Sequence, residues 1–152
     1  MNEKKILVSG CLFGWHCRYD DGDTPCLHPM FLRWKEEGRL IPICPEVFGG
    51  LPTPRPDCQR VGDKVMSCVG GDCTKEYTAG AKEALRLATE NDVALCIMKE
   101  DSPSCGSTHI YDGTFTDTIK EGQGLAVEYL RKAGYKVFSE NMMDKVIAEL
   151  KK

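Results

Sequence analysis

The sequence predicts one α/β domain over residues 1–152, with a mainly parallel sheet of four to five strands and flanking helices in a Rossmann-like arrangement. Short apolar runs recur along the chain and are nearly continuous rather than alternating, as in strands covered on both faces. Helical patterns separate most of these runs, an order typical of a parallel sheet. A chain of 152 residues can bury about 68–70% of its unfolded surface, which is enough for one core.

The individual elements follow from the local sequence. The predicted strands are KKILVSG (4–10), RLIPIC (39–44), DVALCIM (92–98) and GYKVFSE (134–140). The predicted helices are 28–38, 74–91, 121–134 and 140–150, with His28, Thr74 and Asn141 at helix starts and Gly134 at a helix end. The segment between Val47 and Thr74 interrupts this alternation with several Gly and Pro residues, so we expect loops and one hairpin there.

Composition and charge exclude several functional classes. The net charge of −3 argues against a broad basic surface for nucleic acid and favours a small-molecule substrate. No run approaches the ~20 apolar residues of a membrane span, and the apolar run that follows Lys5 is too short for a signal peptide. We therefore predict a cytoplasmic protein. The oligomeric state does not follow from the sequence.

The cysteine content needs an explanation in a cytoplasmic chain. The nine cysteines are Cys11, Cys17, Cys26, Cys44, Cys58, Cys68, Cys73, Cys96 and Cys105. A disulfide framework explains them poorly, because their number is odd and cytosolic thiols stay reduced. Cys96 lies inside the apolar run VALCIM and is predicted to be a packed small hydrophobe. No role follows for five of them, Cys17, Cys26, Cys58, Cys68 and Cys73.

Three cysteines fall at the ends of three successive predicted strands. Cys11 follows the first strand, Cys44 ends the second, and Cys105 lies in the loop after the third. The carboxyl ends of parallel strands form the ligand crevice of an open sheet, so we expect these thiols to converge. Structural zinc sites commonly use C-x-x-C pairs, which the chain lacks. Three thiolates around a [4Fe-4S] cluster with one iron left open fit the pattern better, with plain packing as the alternative at each position.

Polar residues near these cysteines are candidates for the same pocket. Glu46 lies two residues after the second of them, and Ser102 and Ser104 come just before the third. Arg55, in the stiff segment GGLPTPRP, could bind an anion or a carbonyl group. Each has a simpler interpretation: a helix-capping carboxylate for Glu46, turn-forming hydroxyls for the serines, and a structural loop around Arg55.

The motif CLFGWHCRYDDG suggests a rival function. A cysteine after the first strand, followed by a Gly-containing loop and an arginine, is similar to the phosphate loop of low-molecular-weight protein tyrosine phosphatases. That loop needs C-x5-R so that its backbone N–H groups surround one oxyanion, whereas Cys11 and Arg18 form C-x6-R. A thiol-based phosphatase or arsenate-reductase-like enzyme using Cys11 therefore stays as an alternative.

Five motifs, taken in order, resemble one family over about residues 5–140. They are VSGCLFGWHCRYDDG, PICPEVFGGLPTPRP, GGDCTKEYTAGA, KEDSPSCGS and IYDGTF. Together they resemble the domain-of-unknown-function 523 family, whose characterised members are 2-thiouracil desulfidases. The resemblance implies an iron–sulfur-dependent desulfidase that replaces the sulfur of a thiolated pyrimidine by oxygen without net redox change and releases hydrogen sulfide.

The resemblance also assigns roles to particular residues. It implies that Cys11, Cys44 and Cys105 hold a [4Fe-4S] cluster with one iron not ligated by protein. It also implies that Glu46 and Ser104 take the catalytic positions. Ser102 and Arg55, which the resemblance does not assign, are our candidates for substrate contact because of their place beside these motifs. The alternative from another functional class is a non-catalytic metal or iron–sulfur carrier or sensor.

Overall fold

The computed structural model describes residues 4–152, so residues 1–3 of the predicted domain lie outside the described residues. In chain order, the strands are β1 (Ile6–Ser9), β2 (Leu40–Ile43), β3 (Cys58–Val61), β4 (Lys64–Ser67), β5 (Leu95–Met98), β6 (His109–Tyr111), β7 (Ile119–Glu121) and β8 (Val137–Ser139). The helices are α1 (Gly10–Phe13), α2 (Pro29–Glu36), α3 (Pro45–Phe48), α4 (Thr74–Glu90), α5 (Leu125–Lys132) and α6 (Met143–Leu150), with a 3₁₀ turn at Glu140–Met142.

Four strands form the central sheet in the order β2-β1-β5-β8, and each pairs with its neighbour in parallel. These are the four strands that the sequence predicts, so the α/β fold with a mainly parallel sheet is confirmed. Strand β1 lies inside the sheet, where Leu7 is in register with Ile41 of β2 and with Cys96 of β5. Every residue of β1 and β5 is buried, which explains their continuous apolar sequence.

The two faces of the sheet bury separate apolar cores. Leu7, Cys96 and Met98 belong to the core shared with α4 and α5, whereas Val8 and Ile97 belong to the core shared with α2 and α6. Successive strand residues therefore alternate between faces, and both faces are covered. Complete burial of each large aliphatic side chain contributes about 1.5–3 kcal/mol, so covering by helices stabilises these short strands.

Helix starts agree with the sequence in one case and differ in two. The His28 ring caps α2 by accepting a backbone N–H of the first turn at 3.2 Å, as predicted. The predicted caps Thr74 and Asn141 are wrong. Cys73 holds the N-cap position of α4, because the Thr74 hydroxyl instead accepts a backbone N–H of β4. Ser139 caps the 3₁₀ turn that precedes α6 by accepting the Asn141 N–H.

Two antiparallel hairpins lie outside the central sheet. Strands β3 and β4 form the hairpin predicted between residues 47 and 74. Strands β6 and β7 form a second hairpin, which the sequence did not reveal because all three residues of β7 are exposed and lack an apolar pattern. Since β7 ends at Glu121, helix α5 starts at Leu125 rather than at 121. Within residues 4–152, no helix is long and apolar enough to cross a bilayer.

Candidate active site

The three cysteines at the strand ends line one cavity of about 280 Å³. Helix α1 follows β1 without a gap and carries Cys11, while Cys44 is the N-cap residue of α3, which follows β2. Cys105 lies in the loop between β5 and β6. Cys11 and Cys105 are buried and Cys44 is partly buried. The parallel sheet thus brings together three thiols that are far apart in the sequence, at its carboxyl edge.

The arrangement of these thiols does not suit a single metal ion. Among residues 4–152, no group of three His, Cys, Asp or Glu side chains surrounds one point closely enough to hold an ion. A cubane cluster places its cysteine ligands on different irons, so it needs thiols spread around a cavity rather than converging on its centre. All nine cysteines are free, so none of the three is consumed by a disulfide.

Burial and neighbouring donors determine how readily the three thiols ionise. Burial raises the pKa of Cys11, and it raises the pKa of Cys105 to about 12. The pKa of Cys44 is lowered, mainly because the Cys17 thiol donates to its sulfur, with help from the Val47 N–H. Buried neutral thiols lose their protons when a metal binds, so binding at this site would release protons.

Glu46 is fixed in the cavity wall by a buried ion pair with Arg55. Arg55 Nε and Nη2 donate to Glu46 Oε1 at 3.1 and 2.8 Å, and the two side chains are only 3% and 13% exposed. The remaining donors of Arg55 reach the carbonyls of Pro52 and Cys17 and the hydroxyl of Thr53. All five guanidinium N–H groups therefore have partners within the protein.

Ser104 links Glu46 to the third cysteine. Its hydroxyl donates to Glu46 Oε2 at 3.0 Å and lies 3.4 Å from Cys105 Sγ. The Ser102 hydroxyl is 3.0 Å from that of Ser104 and accepts the backbone N–H groups of Ser104 and Cys105. A continuous chain of contacts thus runs from Cys105 through Ser104, Glu46 and Arg55.

The loop that carries Cys105 is organised around a buried carboxylate, Glu100. Its side chain accepts the backbone N–H groups of Ser107, Thr108 and His109 and the hydroxyl of Thr108. Burial alone would raise the pKa of Glu100, but these hydrogen bonds outweigh it and lower the pKa to about 2. The carboxylate therefore holds the loop closed around the cysteine over the whole neutral pH range.

Two glycines permit the close contacts that bring the pieces of the site together. A Cβ at Gly80 of α4 would lie 1.9 Å from the carbonyl oxygen of Pro45, directly before Glu46. A Cβ at Gly124 would lie 2.3 Å from the carbonyl carbon of Ser104. Both distances are far below van der Waals contact, so only glycine allows α4 and the start of α5 to support these two residues.

The structure also adds residues that sequence reasoning missed. Cys17, on the loop after α1, lines the cavity together with the three cysteines. Tyr77, in the first turn of α4, is fully buried and lines the same cavity. Burial raises the pKa of Tyr77, and the neighbouring Glu46 and Cys58 raise it further. Tyr77 lies within the motif GGDCTKEYTAGA, but an isolated tyrosine on a helix carries no signal that it faces a pocket.

The lining of the cavity also carries charges of both signs. Arg18, Asp57 and Asp101 line it, and burial raises the pKa of both aspartates. Arg18 Nε lies 3.6 Å from Asp20 Oδ1, so these two residues form an ion pair at the edge of the site. Lys99 also lines the cavity, but its ammonium group is bound to Glu140 at 2.7 Å.

A thiol-lined cavity beside a buried carboxylate, at the edge of a parallel α/β sheet, indicates an enzyme that handles a metal or sulfur. The chain belongs to the 2-thiouracil desulfurase family, whose model matches residues 6–142. This confirms the family to which the sequence motifs pointed.

Two relatives illustrate the match. The chain is 36% identical to the uncharacterized protein YbbK of Bacillus subtilis (strain 168), with 93% of this chain and 99% of that protein covered. The solved structure of the [4Fe-4S]-dependent thiouracil desulfidase TudS (DUF523Vcz) superposes with a TM-score of 0.96 at 40% identity. That match covers 98% of this chain and 99% of the solved one.

Proposed function

We propose that this protein is a [4Fe-4S]-dependent desulfidase that converts a thiolated pyrimidine resembling 2-thiouracil to its oxo form and releases hydrogen sulfide. The observation that supports this proposal most strongly is that Cys11, Cys44 and Cys105 line the same cavity as the Glu46–Ser104 pair. Family membership and the likeness to TudS support the same activity.

The donor set of the cavity fits an iron–sulfur cluster. Soft thiolates are the ligands that such clusters use, and three of them would leave one iron without a protein ligand. Cys11, Cys44 and Cys105 would hold the cluster. When bound, the cluster would supply a Lewis-acidic iron for the soft sulfur of the substrate.

The protein side chains would then carry the proton transfers. Glu46 acts as general base on the water that attacks the carbon bearing sulfur, and Arg55 holds the carboxylate in one orientation through Oε1. The other oxygen, Oε2, is bonded to Ser104, which orients the water or donates to developing negative charge. The overall conversion consumes one water and releases one hydrogen sulfide, so no electron donor is needed.

The two candidates for substrate contact differ in their freedom to bind. Arg55 has all five donors occupied within the protein, so we assign it the positioning of Glu46 rather than direct substrate contact. Ser102 lines the cavity, and its hydroxyl contacts that of Ser104, so contact with the pyrimidine ring stays a prediction.

The charges around the cavity favour a small neutral substrate. Asp57 and Asp101 would repel the phosphate groups of a nucleic acid. The two arginines of the lining offer little compensation, because Arg18 is paired with Asp20 and Arg55 with Glu46. We therefore propose a small thiolated pyrimidine as substrate and a cytoplasmic location, where reducing conditions would keep the nine thiols free.

The alternative functions find less support in the geometry. A phosphatase-like nucleophile needs a thiol whose pKa is depressed, whereas burial raises the pKa of Cys11. A carrier or sensor would not need a carboxylate held beside the thiols by two hydrogen bonds from a buried guanidinium group.

The deciding experiment measures iron and acid-labile sulfide in protein purified without oxygen, followed by sulfide release from 2-thiouracil. We expect about four of each per chain and catalytic release of sulfide. Glu46→Gln should keep the iron but release no sulfide, and Cys68→Ser, at an exposed thiol, is the matched control. Protein without iron after anoxic reconstitution, or an active Glu46→Gln variant, would contradict the proposal.

A further inference from the structure

One buried hydroxyl in the loop after α1 has no partner. Among residues 4–152, Thr24 Oγ1 is the one buried side-chain oxygen or nitrogen without a hydrogen bond. A hydroxyl that is buried without a partner loses its hydrogen bonds to water and destabilises the folded state, so such an atom indicates a missing acceptor. The backbone places it accurately, because the Thr24 N–H donates to the Cys11 carbonyl at 3.2 Å.

The Cys11 sulfur is the acceptor that ligation would supply, because the Thr24 N–H already holds this threonine against the carbonyl of Cys11. Burial raises the pKa of the Cys11 thiol, and the neighbouring Thr24 hydroxyl opposes that effect. A protonated thiol is a weak acceptor, whereas a thiolate that ligates a metal is a strong one. Ligation by Cys11 would therefore provide the partner that Thr24 lacks.

The same loop is also held against a second cysteine. Cys17 is buried and lines the cavity, and its carbonyl accepts the Cys44 thiol at 3.6 Å. Arg55 Nη2 donates to this carbonyl at 2.8 Å. The loop is thereby fixed at Cys17 as well as at Thr24.

We propose that the loop of residues 14–28 provides a hydrogen bond to one sulfur ligand of the cluster, from the Thr24 hydroxyl to Cys11. The inference rests on the proposed function, because it requires the cluster. Thr24 is a positioning residue that acts through the ligand. Donors to ligand sulfur withdraw electron density, which raises the reduction potential and makes the irons stronger Lewis acids.

The test compares Thr24→Val, which removes the donor at nearly constant volume, with Thr24→Ser, which keeps it. In the cluster-loaded protein, Thr24→Val should make the reduction potential of the cluster more negative. Thr24→Ser, which keeps the hydroxyl, should have the potential of the wild type. In the metal-free protein, Thr24→Val should raise the unfolding temperature, because it removes an unpaired hydroxyl. A purely structural role would not give these opposite effects.

Cys68→Ser, at an exposed thiol, is the control that should leave the potential unchanged. Wild-type protein with a cluster and an unchanged potential in Thr24→Val would overturn the role of Thr24 alone. Wild-type protein that binds no cluster would overturn both this inference and the proposed function.

Discussion

Replacement of Arg55 by methionine tests whether the site depends on its buried ion pair. Methionine keeps much of the side-chain volume but removes all five N–H donors, leaving the Glu46 carboxylate buried without a counter-charge. Removing one partner of a buried pair costs about 3–5 kcal/mol, far more than an exposed pair contributes. The pair here is 3% and 13% exposed. We therefore expect the free energy of unfolding of the metal-free protein to fall by about 3–5 kcal/mol.

Urea denaturation at neutral pH measures this loss, and Arg86→Met is the matched control. Arg86 also bonds two carboxylates, Glu83 and Glu90, but on the exposed surface of α4, so its replacement should cost far less. Introducing Arg55→Met into a Glu46→Gln background should cost much less than in the wild type, because the uncompensated charge is gone. If Arg55→Met destabilised the protein no more than Arg86→Met, the reasoning about burial would be refuted.

Three further predictions follow from the site. Cys105→Ala should lose its iron, whereas the control Cys96→Ala should retain it at some cost in stability. Iron analysis of both proteins tests this, and equal iron content in the two variants would exclude Cys105 as a ligand. Ser104→Ala should keep its iron but lower kcat by about 10²–10³-fold, and a steady-state assay showing an unchanged kcat would contradict its role. The pKa of Glu100 is lowered from 4.5 to about 2, so the stability that it contributes is complete above pH 4.5 and is lost as the pH falls toward 2. That contribution is about 3 kcal/mol. When the free energy of unfolding is measured against pH, Glu100→Gln should therefore lose less stability at acid pH than the wild type. An equal loss in both proteins would exclude this role of Glu100.

The fold was accessible from the sequence because the sheet is covered on both faces. Strands such as β1 and β5 need continuous apolar residues, and this requirement leaves a direct trace in the sequence. The four-residue helices α1 and α3 leave no periodic pattern, since a single turn has too few residues to show one. The exposed hairpin β6–β7 could not be predicted for a related reason. Its stability comes from backbone pairing rather than from an apolar face, so β7 shows no apolar pattern.

Part of the candidate site could likewise be predicted from the sequence, and part could not. Cys11, Cys44 and Cys105 could be grouped in advance, because the ends of parallel strands meet at one edge whatever the details of the loops. The role of Arg55 could not, since its orientation depends on how the segment from 49 to 57 folds back on Glu46. The role proposed for Thr24 depends on a loop without helix or strand, whose path no local pattern predicts.

Atom balance gives Ser104 a specific place in the proposed reaction. Conversion of a thiocarbonyl to a carbonyl group by water transfers both protons of the water to the departing sulfur, so the protein retains none. A proton accepted by Glu46 Oε2 must therefore leave again, toward the sulfur side of the cavity. The Ser104 hydroxyl lies 3.0 Å from Glu46 Oε2 and 3.4 Å from Cys105 Sγ, between the base and the thiols. With Arg55 occupying Oε1, this hydroxyl is the polar contact of Oε2 through which the proton can move, which is why its loss should slow turnover while the cluster stays bound.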